Sequence, residues 1–237
     1  MDTSDDRSVR GRLILVTGGA RSGKSTYAER LAAQLAEPRG GRVTYIATSQ
    51  AYDEEMEQRV HAHQSSRLDT WTTVECPIEV PAGVRAAATA AGQDVPPVVL
   101  LDCVTLWVTN LLFQGGAFGG SAPPDEGYNY DKDLLPAKEE RAAAARVTAA
   151  VDGLVAAVAG TGVTLVAVTN EVGLGVVPVY PLARLYRDQL GWANQRLARD
   201  ADGLYLLVSG YPLDVKALSA SSPLFTDDPS SPSKEPQ

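Results

Sequence analysis

The octapeptide GGARSGKS, Gly18 to Ser25, follows the apolar run Leu13 to Thr17 and precedes the Ala- and Leu-periodic stretch TYAERLAAQLA. Gly18, four residues, Gly23, Lys24 and Ser25 make the Walker A spacing, which acquires meaning only between a strand and a helix. Both flanks are present. Gly18 opens the loop, and the backbone N–H groups of Gly19, Ala20, Arg21, Ser22, Gly23, Lys24 and Ser25 can then converge on phosphate oxygens at a helix N-terminus. In that arrangement Lys24 bridges the β- and γ-phosphates and the Ser25 hydroxyl ligates Mg²⁺, while Arg21 adds a second positive charge. The competing reading, a glycine-rich turn with a chance lysine, explains neither flank.

Apolar runs rich in β-branched residues recur at Leu13 to Thr17, Arg42 to Thr48, Val98 to Asp102, Val163 to Thr169 and Leu204 to Ser209. Runs that are apolar nearly throughout belong to strands covered on both faces. Segments of helical length and composition lie between them: Gly23 to Ala36, Glu54 to His63, Val104 to Phe113, Ala137 to Ala159 and Leu182 to Asp200. This alternation predicts an α/β fold, a mostly parallel doubly wound sheet with helices on both faces, in one P-loop domain over residues 11–216. Within it Gln114 to Pro136 is too long and too rich in Gly and Pro for an ordinary connection and reads as a flexible insertion, a lid or a disordered loop. Residues 1–10 and 217–237 are polar and aperiodic and read as disordered tails.

The 21 Lys plus Arg against 29 Asp plus Glu give a formal net charge of −8 over 237 residues. An acidic chain is a poor general binder of nucleic acid, so any phosphate must be held by a local site, which points to a small molecule. Two cysteines, Cys76 and Cys103, make no disulfide framework and favour a reducing cytoplasm. No run approaches the roughly 20 apolar residues of a membrane span, and the start MDTSDDRSVRGR lacks the apolar core of a signal peptide, so no membrane insertion is expected.

A second metal ligand should stand at the carboxyl end of another buried strand, and Asp102 closes the run VVLLD. An acid there also serves as a helix cap; the Walker A loop favours the Mg²⁺ role. Both histidines fall in DEEMEQRVHAHQSSR, Asp53 to Arg67. On a helix His61 and His63 point to opposite sides, so they do not chelate a metal together. Arg59, His63 and Arg67 share one stripe at i, i+4, i+8. Two guanidinium groups beside an imidazole depress its pKa, keep it neutral as a nucleophile requires, and attract phosphate. Spacing alone fits a solvated basic face as well. Asn170 and Glu171 close another apolar run and belong on the same rim, or else form a turn acid and its capping amide.

The set GGARSGKS, YIATSQ (Tyr45 to Gln50), DEEMEQRVHAHQSSR, W-x-T-V-E-C (Trp71 to Cys76), LLDCVTLWVTNLL (Leu100 to Leu112), VTNEVGLGVVP (Val168 to Pro178) and LARLYRD-x4-ANQRLA-x4-GLYLLVSG resembles the bifunctional adenosylcobinamide kinase and adenosylcobinamide-phosphate guanylyltransferase family of cobalamin biosynthesis. The resemblance runs collinearly from about Leu13 to Lys216. The N-terminal extension, the Gln114 to Pro136 insertion and the tail depart from it without touching a motif.

The resemblance implies two activities: phosphorylation of adenosylcobinamide with ATP or GTP, then transfer of GMP from GTP to that phosphate through a guanylylated histidine. The family pattern of Arg, an aliphatic residue, two variable positions and His falls on Arg59, Val60 and His63, and leaves His61 on a variable position. It further implies a nucleotide site including Ala47, Thr48, Ser49, Gln64, Ser65, Ser66, Arg67, Glu75 and Asp102, with Glu75 able to accept both N–H donors of a guanine edge. A homotrimer with sites shared between subunits is also implied. Two alternatives stand beside this reading. One is a P-loop kinase for another small hydroxyl substrate, with His63 structural; the other is a nucleotide-dependent regulatory ATPase or GTPase.

Overall fold

The strand that leads into the glycine-rich loop lies inside a seven-stranded sheet. A computed structural model describes residues 10–49, 71–91, 97–114 and 137–220. The strands are β1 (Arg12–Gly18), β2 (Val43–Ala47), β3 (Trp71–Glu75), β4 (Val98–Asp102), β5 (Thr164–Val168), β6 (Gly203–Val208) and β7 (Tyr211–Asp214), in the order β3-β2-β4-β5-β1-β6-β7. All pairings are parallel except β6 with β7. The helices are α1 (Lys24–Ala36), α2 (Val80–Ala91), α3 (Val104–Phe113), α4 (Ala137–Ala159), α5 (Pro181–Asp200) and α6 (Val215–Ala220).

Strict alternation along the buried strands divides the core into two layers. Ile14, Val16, Tyr45, Leu100, Val166 and Val168 meet Ala28, Ala32 and Ala36 of α1 on one face. Leu13, Leu15, Val99, Leu101, Leu165 and Ala167 meet residues of α2, α3, α4 and α5 on the other. Because β1 and the adjacent β5 send their following helices to opposite faces, their carboxyl ends part and leave a crevice, where open α/β sheets bind ligands.

The five expected strands and four of the expected helices are found within two residues of their boundaries. The edge strands β3 and β7 and the helices α2 and α6 were not anticipated. Thr72 to Glu75 of β3 and Tyr211 to Leu213 of β7 are exposed, so neither strand has the apolar run of a doubly covered one. In α2, Pro81 and Gly83 interrupt the helical composition. Helix α6 crosses the expected tail boundary at Ala217. The Glu54 to His63 helix, most of the insertion (115–136) and the remaining tail residues lie outside the described residues.

One expectation, that no run approaches the apolar length of a membrane span, is corrected. Helix α4 has 23 residues and a mean hydropathy of 1.5 in its most apolar window, enough by length and composition to cross a membrane. Alanines supply much of that value, and the buried stripe Ala143, Val147, Val151, Leu154 and Val158 packs in the second core layer. The helix ends against the start of β1, where a Cβ on Gly11 would stand 1.9 Å from the Val158 carbonyl oxygen. Neither backbone can yield without breaking the layer, so Gly11→Ala should cost about 1–3 kcal/mol or more, read by urea denaturation.

Candidate active site

The phosphate loop joins β1 to α1, and packing rather than solvent sets its shape. Gly23 adopts φ +88°, and a Cβ there would approach the Gly210 Cα to 3.3 Å. The Gly210 N–H donates to the Ser22 carbonyl at 2.9 Å, so the β6–β7 turn is bolted to the loop. A Cβ on Gly18 would lie 2.7 Å from both the Leu207 carbonyl oxygen and Ser22 Oγ. Lys24 Nζ donates to the Gly19 carbonyl at 3.2 Å, lying back across the loop. Ala20 and Arg21 form its exposed outer turn, and Arg21 takes φ 55°.

Strand register aligns the other candidates. Glu75 pairs with Ala47, Ala47 with Asp102, Asp102 with Val168, and Val168 with Val16. One row thus crosses five strands at the carboxyl edge, with Asp102 two strand spacings from the P-loop strand, about 10 Å. Glu75 is four spacings away and exposed. The Asp102 carboxylate accepts from the Tyr45 hydroxyl at 3.1 Å. Thr48 donates through Oγ1 to the Cys103 carbonyl and accepts from the Cys103 N–H, both at 2.8 Å, and Ser49 follows it. His63, Gln64, Ser65, Ser66 and Arg67, with Arg59 and His61, lie outside the described residues.

Helix α3 holds these loop exits together. Trp107 Nε1 donates to the Ile78 carbonyl at 2.7 Å. Asn110, 6% exposed, gives its amide hydrogens to the carbonyls of Thr48 at 2.8 Å and Pro77 at 2.9 Å. Thr105 Oγ1 accepts from the Asn170 N–H at 3.1 Å. Behind them Asn194 of α5 accepts from Thr169 Oγ1 at 2.7 Å and donates to the Asn170 carbonyl at 3.0 Å. Sequence reasoning missed Thr105, Trp107, Asn110, Asn194 and Gly210. The available signal was a lone amide in VTLWVTNLLF, where only two threonines are otherwise polar, since a buried polar side chain must find partners.

Both thiols are held toward their protonated, weakly nucleophilic form. Burial, reinforced by the Asp102 charge, pushes the Cys103 thiol up to about 11. Burial and the nearby Glu79 also raise Cys76. For a divalent cation, Ser25 and Asp102 offer hard oxygen donors. Among the described residues no group of three His, Cys, Asp or Glu forms a cage, so the remaining ligands would come from phosphates and water, the usual arrangement for Mg²⁺.

A mostly parallel sheet with a phosphate loop at its switch point defines a P-loop nucleotide-binding protein. Within that class, the family model described as "Cobinamide kinase / cobinamide phosphate guanyltransferase" matches residues 14–215. The chain belongs to this family. It is 42% identical over 206 residues to the bifunctional adenosylcobalamin biosynthesis protein CobU of Escherichia coli, covering 86% of this chain and 99% of that protein. The CobU protein of Salmonella typhimurium matches to the same extent. The bifunctional adenosylcobalamin biosynthesis protein CobP of Pseudomonas aeruginosa is 37% identical over 202 residues, 85% of this chain and 96% of its own length. Among solved structures, the ATPase domain of G40P covers 83% of this chain and 69% of its own at TM-score 0.45 and 10% identity.

Replacing Asn110 tests the pinning of the rim. Asn110→Leu leaves the Thr48 and Pro77 carbonyls without their donor and should cost about 2 kcal/mol or more in urea denaturation. Nucleotide affinity should fall with it, checked by equilibrium titration with a fluorescent GTP analogue.

Proposed function

We propose that this protein phosphorylates the hydroxyl of the aminopropanol arm of adenosylcobinamide with ATP or GTP, then transfers GMP from GTP to the resulting phosphate through a guanylyl-histidine, giving adenosylcobinamide-GDP. The observation that carries the reading is one register row, Glu75, Ala47, Asp102, Val168 and Val16, beside the Walker A loop, in a chain matched to the family over 14–215.

In the kinase step the loop amides from Gly19 to Ser25 bind the phosphates and Lys24 leaves its contact with the Gly19 carbonyl to reach the terminal ones. Ser25 and Asp102 would hold Mg²⁺, which when bound neutralises charge on the phosphate oxygens. No protein nucleophile is needed, because a positioned alcohol attacks the γ-phosphate directly. The second step needs one. His63, neutral, attacks the α-phosphate of GTP and expels pyrophosphate, and the phosphoramidate so formed is then taken by the substrate phosphate. Arg59, Arg67 and Lys24 stabilise charge on the phosphoryl oxygens, and Glu75 recognises the guanine edge.

The reading includes a homotrimer in the cytoplasm. Leu174, Val176 and Val179 are 89%, 96% and 78% exposed on a segment whose backbone Arg184 holds by bonds to the Pro178 and Val179 carbonyls, and an assembly would cover such side chains. Cys76 and Cys103 are both free thiols, as a reducing compartment keeps them.

Incubation with α-labelled GTP tests the covalent step. The expected result is acid-labile, alkali-stable label on the protein, which neither a simple kinase nor a regulatory NTPase forms. His63→Ala should lose the adduct and adenosylcobinamide-GDP formation yet keep the kinase step, and His61→Ala should keep all three. An adduct that survives in His63→Ala would falsify the assignment. Lys24→Ala should abolish phosphorylation and strongly weaken GTP binding; near-normal product formation by that variant would remove the P-loop from the mechanism.

A further inference from the structure

Parallel pairing with β1 continues past the end of β5 into the site. The Thr169 N–H donates to the Val16 carbonyl at 2.9 Å and the Glu171 N–H to the Gly18 carbonyl at 3.2 Å. Asn170 is therefore level with the entrance to the phosphate loop, two residues beyond β5, the strand that separates β1 from β4 and its Asp102. Alternation assigns its face. Val166 and Val168 lie in the core layer of α1, as do Val98 and Leu100 ahead of Asp102, while Thr169 turns to the opposite layer and reaches Asn194. Asn170 and Asp102 thus share the face of the sheet that carries the phosphate-loop helix.

The mount of Asn170 is rigid. Its N–H is held by Thr105 of α3 at 3.1 Å and its carbonyl by Asn194 of α5 at 3.0 Å, and Asn194 is itself buried. Yet its side-chain Oδ1 is buried with no hydrogen-bond partner among the described residues. A buried acceptor left unpaired is costly, and folded proteins keep few of them. Ionised phosphate oxygens carry no proton to donate, whereas an alcohol does.

Resting on the kinase reading above, we infer that Asn170 is a catalytic residue of the phosphorylation step, its carboxamide oxygen accepting the hydrogen bond of the alcohol that attacks the γ-phosphate. The alcohol oxygen forms the new bond to the γ-phosphorus, and the bond from that phosphorus to the bridging oxygen breaks, its electron pair leaving on the nucleoside diphosphate. The hydroxyl proton passes to the transferred phosphoryl oxygens and on to water. Asn170 takes no proton; it fixes the direction of the attacking lone pair, as a near-attack geometry requires.

The test uses the full chain with adenosylcobinamide, ATP and Mg²⁺ for the kinase step, preformed adenosylcobinamide phosphate with GTP for guanylyl transfer, and a fluorescent GTP analogue for affinity. Asn170→Leu, close in volume but without hydrogen bonds, should lower kinase kcat about a hundredfold while nucleotide affinity and guanylyl transfer stay within about threefold. Asn170→Gln keeps a buried amide and displaces it by one methylene; it should show the same split and decides the matter if the leucine variant does not fold. Kinase kcat within about threefold of the parent in a folded variant overturns the assignment, as does a parallel fall of both steps and of affinity, which marks a structural or metal-shell role. A parent enzyme that leaves adenosylcobinamide unphosphorylated overturns the kinase reading itself, and this assignment with it.

Discussion

Buried polar groups have to be paired, and around helix α3 that requirement organises the whole rim of the sheet. Val104, Trp107, Val108, Leu111 and Leu112 drive the helix into the core, where water cannot reach it. Its polar side chains therefore find partners in the loops that emerge above: Thr48 after β2, Pro77 and Ile78 after β3, Asn170 after β5. At its far end Arg146 of α4 donates to the carbonyls of Leu111 and Leu112, satisfying terminal acceptors and complementing the helix dipole. One apolar helix thus spaces three loop exits with hydrogen bonds that cannot be exchanged for bonds to solvent.

The phosphate loop is restrained separately, by the antiparallel turn between β6 and β7. That turn takes φ 51° at Ser209 and 89° at Gly210 and binds the Ser22 carbonyl. An edge strand with exposed side chains contributes little to the core, so its structural value lies in this contact. The phosphate loop and the loop exits at α3 are consequently held by different parts of the molecule, in a family described by both a kinase and a guanyltransferase activity. With a net charge of −8 any phosphate has to be met locally, and among the described residues Lys24 and Arg21 stand beside the loop amides.

Much of this was legible in the linear chain. Doubly covered strands must be apolar throughout, so the runs at β1, β2, β4 and β5 announced themselves, with the half-buried β6 apolar as well, and a Walker A loop has one place in such a sheet. Asp102 and Asn170 could be put on the carboxyl rim because each closes an apolar run. The edge strands could not be read, since Thr72 to Glu75 and Tyr211 to Leu213 face solvent and no burial constrained their composition. Helix α4 was legible over Ala137 to Ala159, the bounds at which it is found, but its packing in the second core layer is a property of the fold.

By itself the sequence determined the fold class, the phosphate loop and the family, because these rest on local spacing and on patterns of burial that each segment carries within it. Only the tertiary structure decided that Glu75, Ala47 and Asp102 form one row, that Asn110 pins two loop exits, and that Asn170 is clamped between α3 and α5 with its acceptor unpaired among the described residues. Register between strands distant in sequence is set by the packing of both faces at once, and the partner of a buried polar group is whichever backbone the fold brings beside it. Neither is encoded in any one stretch of chain.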